Sequence, residues 1–205
     1  MASIERTAYP RFRHEPNARE LQDRFTPAPD EVDFVRSLIR GDEHFFAAVL
    51  LLKCLQYLGY FPELSEIPAA IVKHVRICLR LPLAEMPAYD QIRTMRRHQT
   101  AIRNHLQLKP RHSREARKIA VQTVVEAAQV IVNPADLINI AVEQLRLEQC
   151  ELPSFLTLER MVNRVRTVVH RRLFAQVLQK LGTDDVARLD RLLKTTEVIE
   201  PWALK

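Results

Sequence analysis

Apolar residues in this chain recur at intervals of three and four and nowhere hold a strict alternation, which leaves helix as the regular structure open to it. The clearest run is Leu158, Met161, Val162, Val165, Val168 and Val169, continuing through Leu173, Phe174, Val177 and Leu178. Only three glycines occur in 205 residues, and Gly41, Gly59 and Gly182 each follow such a run, where a residue tolerant of left-handed backbone closes a helix. The prolines punctuate the runs or fit a first helical turn, where a missing N–H costs nothing. The expected fold is all-α, with about eight helices.

Residues 1–26 read as a basic, extended or partly ordered arm carrying Arg6, Arg11, Arg13 and Arg19. Thr26-Pro27 reads as a cap and first-turn proline opening a helix over 27–39. Residues 45–58 are apolar nearly all round, apart from Lys53 and Gln56, and belong at the centre of a first core. Helices over 66–80 and 90–106 follow, joined by a proline-bearing turn at 81–88. Lys109-Pro110 marks a break. Ser113 then caps a helix to about Ile131, Asn133-Pro134-Ala135-Asp136 starts another, and Thr157 caps a third that runs to Gly182. Thr183-Asp184-Asp185 opens the last, ending near Leu193. The expected division is an arm (1–26), a first helical subdomain (27–109), a second (110–195) and a tail (196–205).

Positive charge is concentrated in one place. Residues 89–118 hold nine Arg or Lys against two acids, a balance of +7, whereas the whole chain sums to +6. On a helix over 90–106, Ile92, Met95, Ile102 and Leu106 form an apolar stripe interrupted by Gln99. Arg93, Arg97, Thr100 and Asn104 lie opposite, flanked by Arg96 and Arg103. Arginine pairs with guanine bidentately and asparagine with adenine, so this face suits the edges of DNA bases. Helix 66–80, the turn and the basic helix have the order of a helix-turn-helix unit. A second unit follows, helix 134–149 leading into helix 157–170, which exposes Arg160, Asn163, Arg164 and Arg166. A solvated basic face explains either helix equally simply.

Other classes of chemistry find no support. The seven histidines include no i, i+4 pair and no HExxH, and phosphate-loop and nucleophile-elbow motifs are missing. No metal site, cofactor or catalytic residue is expected. His98 and His105 read as phosphate contacts or solvated groups on the flank of the basic helix. Cys54, Cys78 and Cys150 are odd in number and far apart, and read as buried structural thiols. No apolar run reaches the roughly 18–20 residues of a membrane span, and the N-terminus lacks a signal peptide's apolar core, so a cytoplasmic protein is expected.

Several stretches in order resemble the N-terminal region of the large replicative transposases of the Tn-three family. They are RTAYPRF near the start, KCLQYLGYFP at 53–62, IPAAIVKHVR at 67–76, RTMRRHQTAIRNHL at 93–106, NPADLINIAVEQL at 133–145 and ELPSFLTLERMVNRVR at 151–166. The resemblance implies a helical module that recognises the terminal inverted repeats of a transposon in bacterial cytoplasm, nucleoid-associated when bound. It implies that the DDE catalytic core lies in a larger C-terminal region, so this chain is not itself expected to be an enzyme. The full-length protein could form a homo-oligomer.

The expected DNA contacts are Arg93, Arg96, Arg97, Thr100, Arg103 and Asn104 in one major groove, with Arg160, Asn163, Arg164 and Arg166 in a second. Arg11, Arg13, Lys109, Arg111 and Arg114 are expected on phosphates. The alternative is a regulatory or protein-interaction module that dimerises through an apolar helix face and binds DNA only weakly.

Overall fold

The computed structural model describes residues 3–12, 15–39 and 42–196, and all statements below concern these. They form an all-α fold with no strand. The helices are α1 (Ala18–Glu20, continuing as a π-type turn through Phe25), α2 (Pro29–Leu38), α3 (Asp42–Leu58), α4 (Ala69–Cys78) and α5 (Ile92–His105). They continue with α6 (Arg114–Ala127), α7 (Pro134–Leu147), α8 (Phe155–Lys180) and α9 (Thr183–Thr196). Arg13, Gly41 and the tail 197–205 lie outside the described residues.

Because α3 is apolar on every side, it must be covered on every side. The π-type turn, α2, α4 and α5 all pack on it, and Phe45 through Leu52 are fully buried. Its one interior cation, Lys53, meets Glu31 of α2 at 3.1 Å, and Gln56 donates to the same carboxylate at 2.6 Å. Glu31 also accepts from the Ala28 N–H at 2.8 Å, which fixes the start of α2 at Pro29 rather than at Pro27. Ser113 and Asn133 cap α6 and α7 as their sequence positions suggest. α8, however, starts at Phe155 behind Ser154, whose hydroxyl accepts from the Thr157 N–H, so Thr157 lies inside the helix.

α6, α7 and α8 pack on one another around a second apolar cluster that includes Val124, Leu137, Ile138, Leu145 and Val162. Tyr9 belongs to it. Its ring is 3 % exposed, stacks on Tyr60, meets Phe155 edge-on, and its hydroxyl donates to the Pro153 carbonyl at 2.7 Å. Phe12 stacks on Tyr57 of α3 instead. The described part of the N-terminal arm is therefore docked against both clusters.

Backbone contacts also join the clusters. Lys109 donates to Gln149 O and accepts from the Glu151 N–H, at 2.8 and 2.9 Å, forming an isolated parallel bridge with Cys150. Leu152 N–H donates to Gly59 O at 2.8 Å. Gly59 has φ +80°, and a Cβ there would stand 3.2 Å from the Leu152 side chain, so the close approach and the left-handed backbone both require glycine.

Three expectations need correction. Residues 79–91 separate α4 from α5 and 148–154 separate α7 from α8, both longer than the three- or four-residue turn of a helix-turn-helix. Cys78 is exposed, with its Sγ 3.6 Å from His74 Nε2, while Cys54 and Cys150 are buried. Burial pushes the Cys54 thiol up to about 12, so it is chemically inert near neutrality. His98 is not a flank residue: it is 3 % exposed and its Nδ1 faces the Tyr89 hydroxyl at 3.1 Å. His105, by contrast, is exposed, and its ring stacks on Phe34 with centroids 3.7 Å apart.

The buried His98 has a consequence for pH. Burial first, then the charges of Arg97 and His44, hold its pKa below the ordinary histidine value. Its Nε2 has no hydrogen-bond partner among the described residues. The unfolded chain therefore takes up a proton at higher pH than the folded chain does. Stability is full above about pH 6.5 and falls as pH drops below it, by about 1.4 kcal/mol for each unit separating the two pKa values. The midpoint of thermal unfolding should be lower at acid than at neutral pH, and His98→Leu should remove most of that difference. An unchanged pH profile in the variant would assign the effect to other groups, His74 first, whose pKa burial also lowers.

Candidate nucleic-acid interface

α5 turns its buried side toward α3 through His98 and Ile102, with Met95 half-buried beside them. Ile92, expected on that stripe, is 65 % exposed. The opposite side is polar and open, with Arg93, Arg96, Arg97, Thr100 and Asn104 all exposed. Thr100 returns its hydroxyl hydrogen to the Arg96 carbonyl at 2.9 Å, which leaves its oxygen lone pairs available as acceptors. The side chains of Arg93, Arg96, Arg97 and Asn104 meet no acid and no hydrogen-bond partner among the described residues. Their donors are thus uncommitted.

Arg103 is placed differently from its expected role. Its side chain is 14 % exposed, and its Nε donates to Glu151 Oε2 at 2.7 Å, the Glu151 side chain being 1 % exposed. The same carboxylate receives the Arg111 guanidinium at 3.7 Å and the Arg111 N–H at 3.5 Å. Glu151 therefore joins α5 to the segment that opens the second cluster. Lys109 is engaged as well, at 2.9 Å from Glu115 and 3.8 Å from Glu148, and its hydrogen bond to Glu115 raises its pKa. Each of these three cations already has a carboxylate partner within the folded chain. Sequence reasoning missed Glu151 because nothing local marks it.

Arg114 is exposed at the start of α6. Arg11 is 30 % exposed at its side chain, lies 3.9 Å from Glu5, and has a buried Nε without a partner among the described residues. Arg13 lies outside the described residues. On α8, Arg160 and Arg164 are exposed, Asn163 is half-buried, and Arg166 donates to the Val132 carbonyl at 3.1 Å. Arg160 and Arg164 also border a groove of about 820 Å³ between α6 and α8, together with Arg117 and Arg172.

Arg96 and Arg103 are seven positions apart and so lie on nearly one line of α5, two turns from each other. The open arginine face thus borders, on one edge, the ion cluster that anchors the helix. The arrangement is a basic helix face offered to solvent and braced from behind by α3 and from the side by Glu151. Such a face can bind phosphates and base edges. No described helix is long and apolar enough to cross a membrane.

Comparison with known proteins places the sequence in a family without an assigned activity. No curated protein matches the chain. The family model described as Domain of unknown function (DUF4158) matches residues 1–165. The chain belongs to the DUF4158 family.

Proposed function

We propose that this chain is a sequence-specific DNA-binding module that docks a transposase on the terminal inverted repeats of its transposon. The observation that carries the reading is the open face of α5, where Arg93, Arg96, Arg97, Thr100 and Asn104 are exposed together while other basic side chains nearby are committed internally. The occurrence of this domain in transposase-like proteins adds support. A B-DNA major groove admits one α-helix, and the arginine, asparagine and threonine side chains supply donors and acceptors for base edges. Arg114, Arg160 and Arg164 would add phosphate contacts that fix register and orientation. Arg103, Lys109 and Arg111 act one step back, holding the helix that reads. In this reading strand cleavage and joining belong to other parts of the transposase.

The test is a titration of the protein with duplexes carrying the element's ends and with scrambled duplexes. Arg97→Ala should weaken cognate binding by about 1–3 kcal/mol and scrambled binding by less. Equal losses on both duplexes would make Arg97 a phosphate contact. No loss on either would take α5 out of the interface and remove the basis of the proposal.

A further inference from the structure

The open side of α5 has a finer pattern than a basic patch. At about 100° per residue, Arg93, Arg97, Thr100 and Asn104 fall within an arc of about 60°. All four are exposed, and no acid occurs between Ile92 and His105. Arg96 lies about 40° outside the arc, on the edge that continues to Arg103 and its partner Glu151.

The members of the arc differ in what they offer a base edge. Arg93 and Arg97 present paired donors, which match O6 and N7 of guanine, and Asn104 presents a donor and an acceptor, which match N7 and N6 of adenine. Thr100 is restricted by the fold. Its hydroxyl hydrogen is committed to the Arg96 carbonyl at 2.9 Å, so its Oγ1 can only accept. In the major groove the donors are the amino groups of adenine and cytosine. Every base pair has one amino base, so Thr100 senses which strand carries it. Arg96, at the edge of the arc, stands where a helix in the groove meets the groove wall, which is the place of a phosphate contact. The helical rise sets the spacing. Arg93 and Asn104 are about 16.5 Å apart along α5, and Arg97 and Asn104 about 10.5 Å. At about 3.4 Å per base pair, these separations span about five and about three base pairs.

We infer that α5 selects a site of about five base pairs in a set order, with guanine opposite Arg93 and Arg97, an amino-bearing base opposite Thr100 and adenine opposite Asn104. Arg96 holds a phosphate beside them. The inference rests on the proposed role of α5 as the helix that meets DNA, and it adds which bases that helix chooses. The N-terminal half of α5 reads guanine and its C-terminal end reads adenine.

Selection from a pool of duplexes with a randomised segment, using the full chain, tests this order. The wild-type protein should enrich a site in which a guanine and an adenine stand about three base pairs apart. Arg97→Gln should exchange that guanine for adenine, and Asn104→Arg should exchange the adenine for guanine. Each should change the preference at its own position by about tenfold and leave the rest of the site as it was. Thr100→Val should remove the strand preference at the position between them. Arg96→Gln should weaken binding to every duplex and leave the selected site unchanged. Unchanged helical circular dichroism would show that the variants fold. An enriched site that neither Arg97→Gln nor Asn104→Arg alters overturns the inference, while the chain remains a sequence-specific DNA binder through other residues. A change of base caused by Arg96→Gln overturns it as well. No enriched site with the wild-type protein would remove the proposed function itself, and the inference with it.

Discussion

Glu151→Ala is expected to lower the free energy of unfolding by about 3–5 kcal/mol, the range found when one partner of a buried ion pair is removed and the other is left behind. The side chain is 1 % exposed and accepts from Arg103 Nε at 2.7 Å, with the Arg111 guanidinium at 3.7 Å. Alanine would leave the Arg103 guanidinium, itself 14 % exposed, beside the Phe61 ring, 5.7 Å from its centre, with no carboxylate paired to it among the described residues. Glutamine keeps an acceptor in place but gives up the charge, so Glu151→Gln should cost less, about 1–3 kcal/mol. Midpoints of urea unfolding at fixed salt would measure both. The carboxylate also ties α5 to the start of the second cluster, beside the Lys109–Cys150 bridge. The alanine variant should therefore unfold over a broader transition, as the clusters separate. An alanine cost below about 1 kcal/mol would mean that the arginines rehydrate freely and that the junction is held by its backbone contacts.

What the sequence could and could not announce follows from the range of the interactions involved. α3 was legible because fourteen residues of nearly unbroken apolarity admit only a central position, and Ser113 and Asn133 were legible because a cap acts on its own first turn. Thr26 and Thr157 misled for a related reason: each has the right chemistry for a cap, but a neighbouring cap competes. Glu31 closes on the Ala28 N–H, and Ser154 captures the first turn of α8. On α5, apolarity alone selected Ile92 for the core, whereas His98 occupies the buried position because Tyr89, nine residues earlier, offers its hydroxyl. Arg103 was the hardest case. Helical phasing put it on the flank of the basic face, and its commitment to a carboxylate 48 residues away leaves no trace in local spacing. The separation of Lys109 and Arg111 from the open contacts has the same origin, since both are claimed by acids that the chain brings back only after α7 or in the first turn of α6.

Joint replacement of Arg93, Arg96 and Arg97 by alanine should abolish tight binding to transposon-end DNA while leaving the fold intact. The three side chains are exposed and make no ion pair among the described residues, so each substitution should change stability by no more than about 0.5 kcal/mol. Alanine is a better helix former than arginine, which favours α5 if anything. If each arginine contributes at the lower limit for a base or phosphate contact, the combined loss is about 3 kcal/mol, more than a hundredfold in affinity. Salt titration then separates the kinds of contact. Three lost phosphate neutralisations reduce the slope of log K against log salt by about 2.7, whereas lost base contacts weaken binding at every salt concentration and narrow the gap between cognate and scrambled duplexes. Arg103→Ala is the necessary comparison, because it removes a cation from the same helix but one that is committed to Glu151. It should reduce stability while leaving the salt slope of the folded protein unchanged. A triple variant that keeps wild-type affinity and slope would sink the proposal, for it would show that the most open cationic face on the first cluster never meets a polyanion.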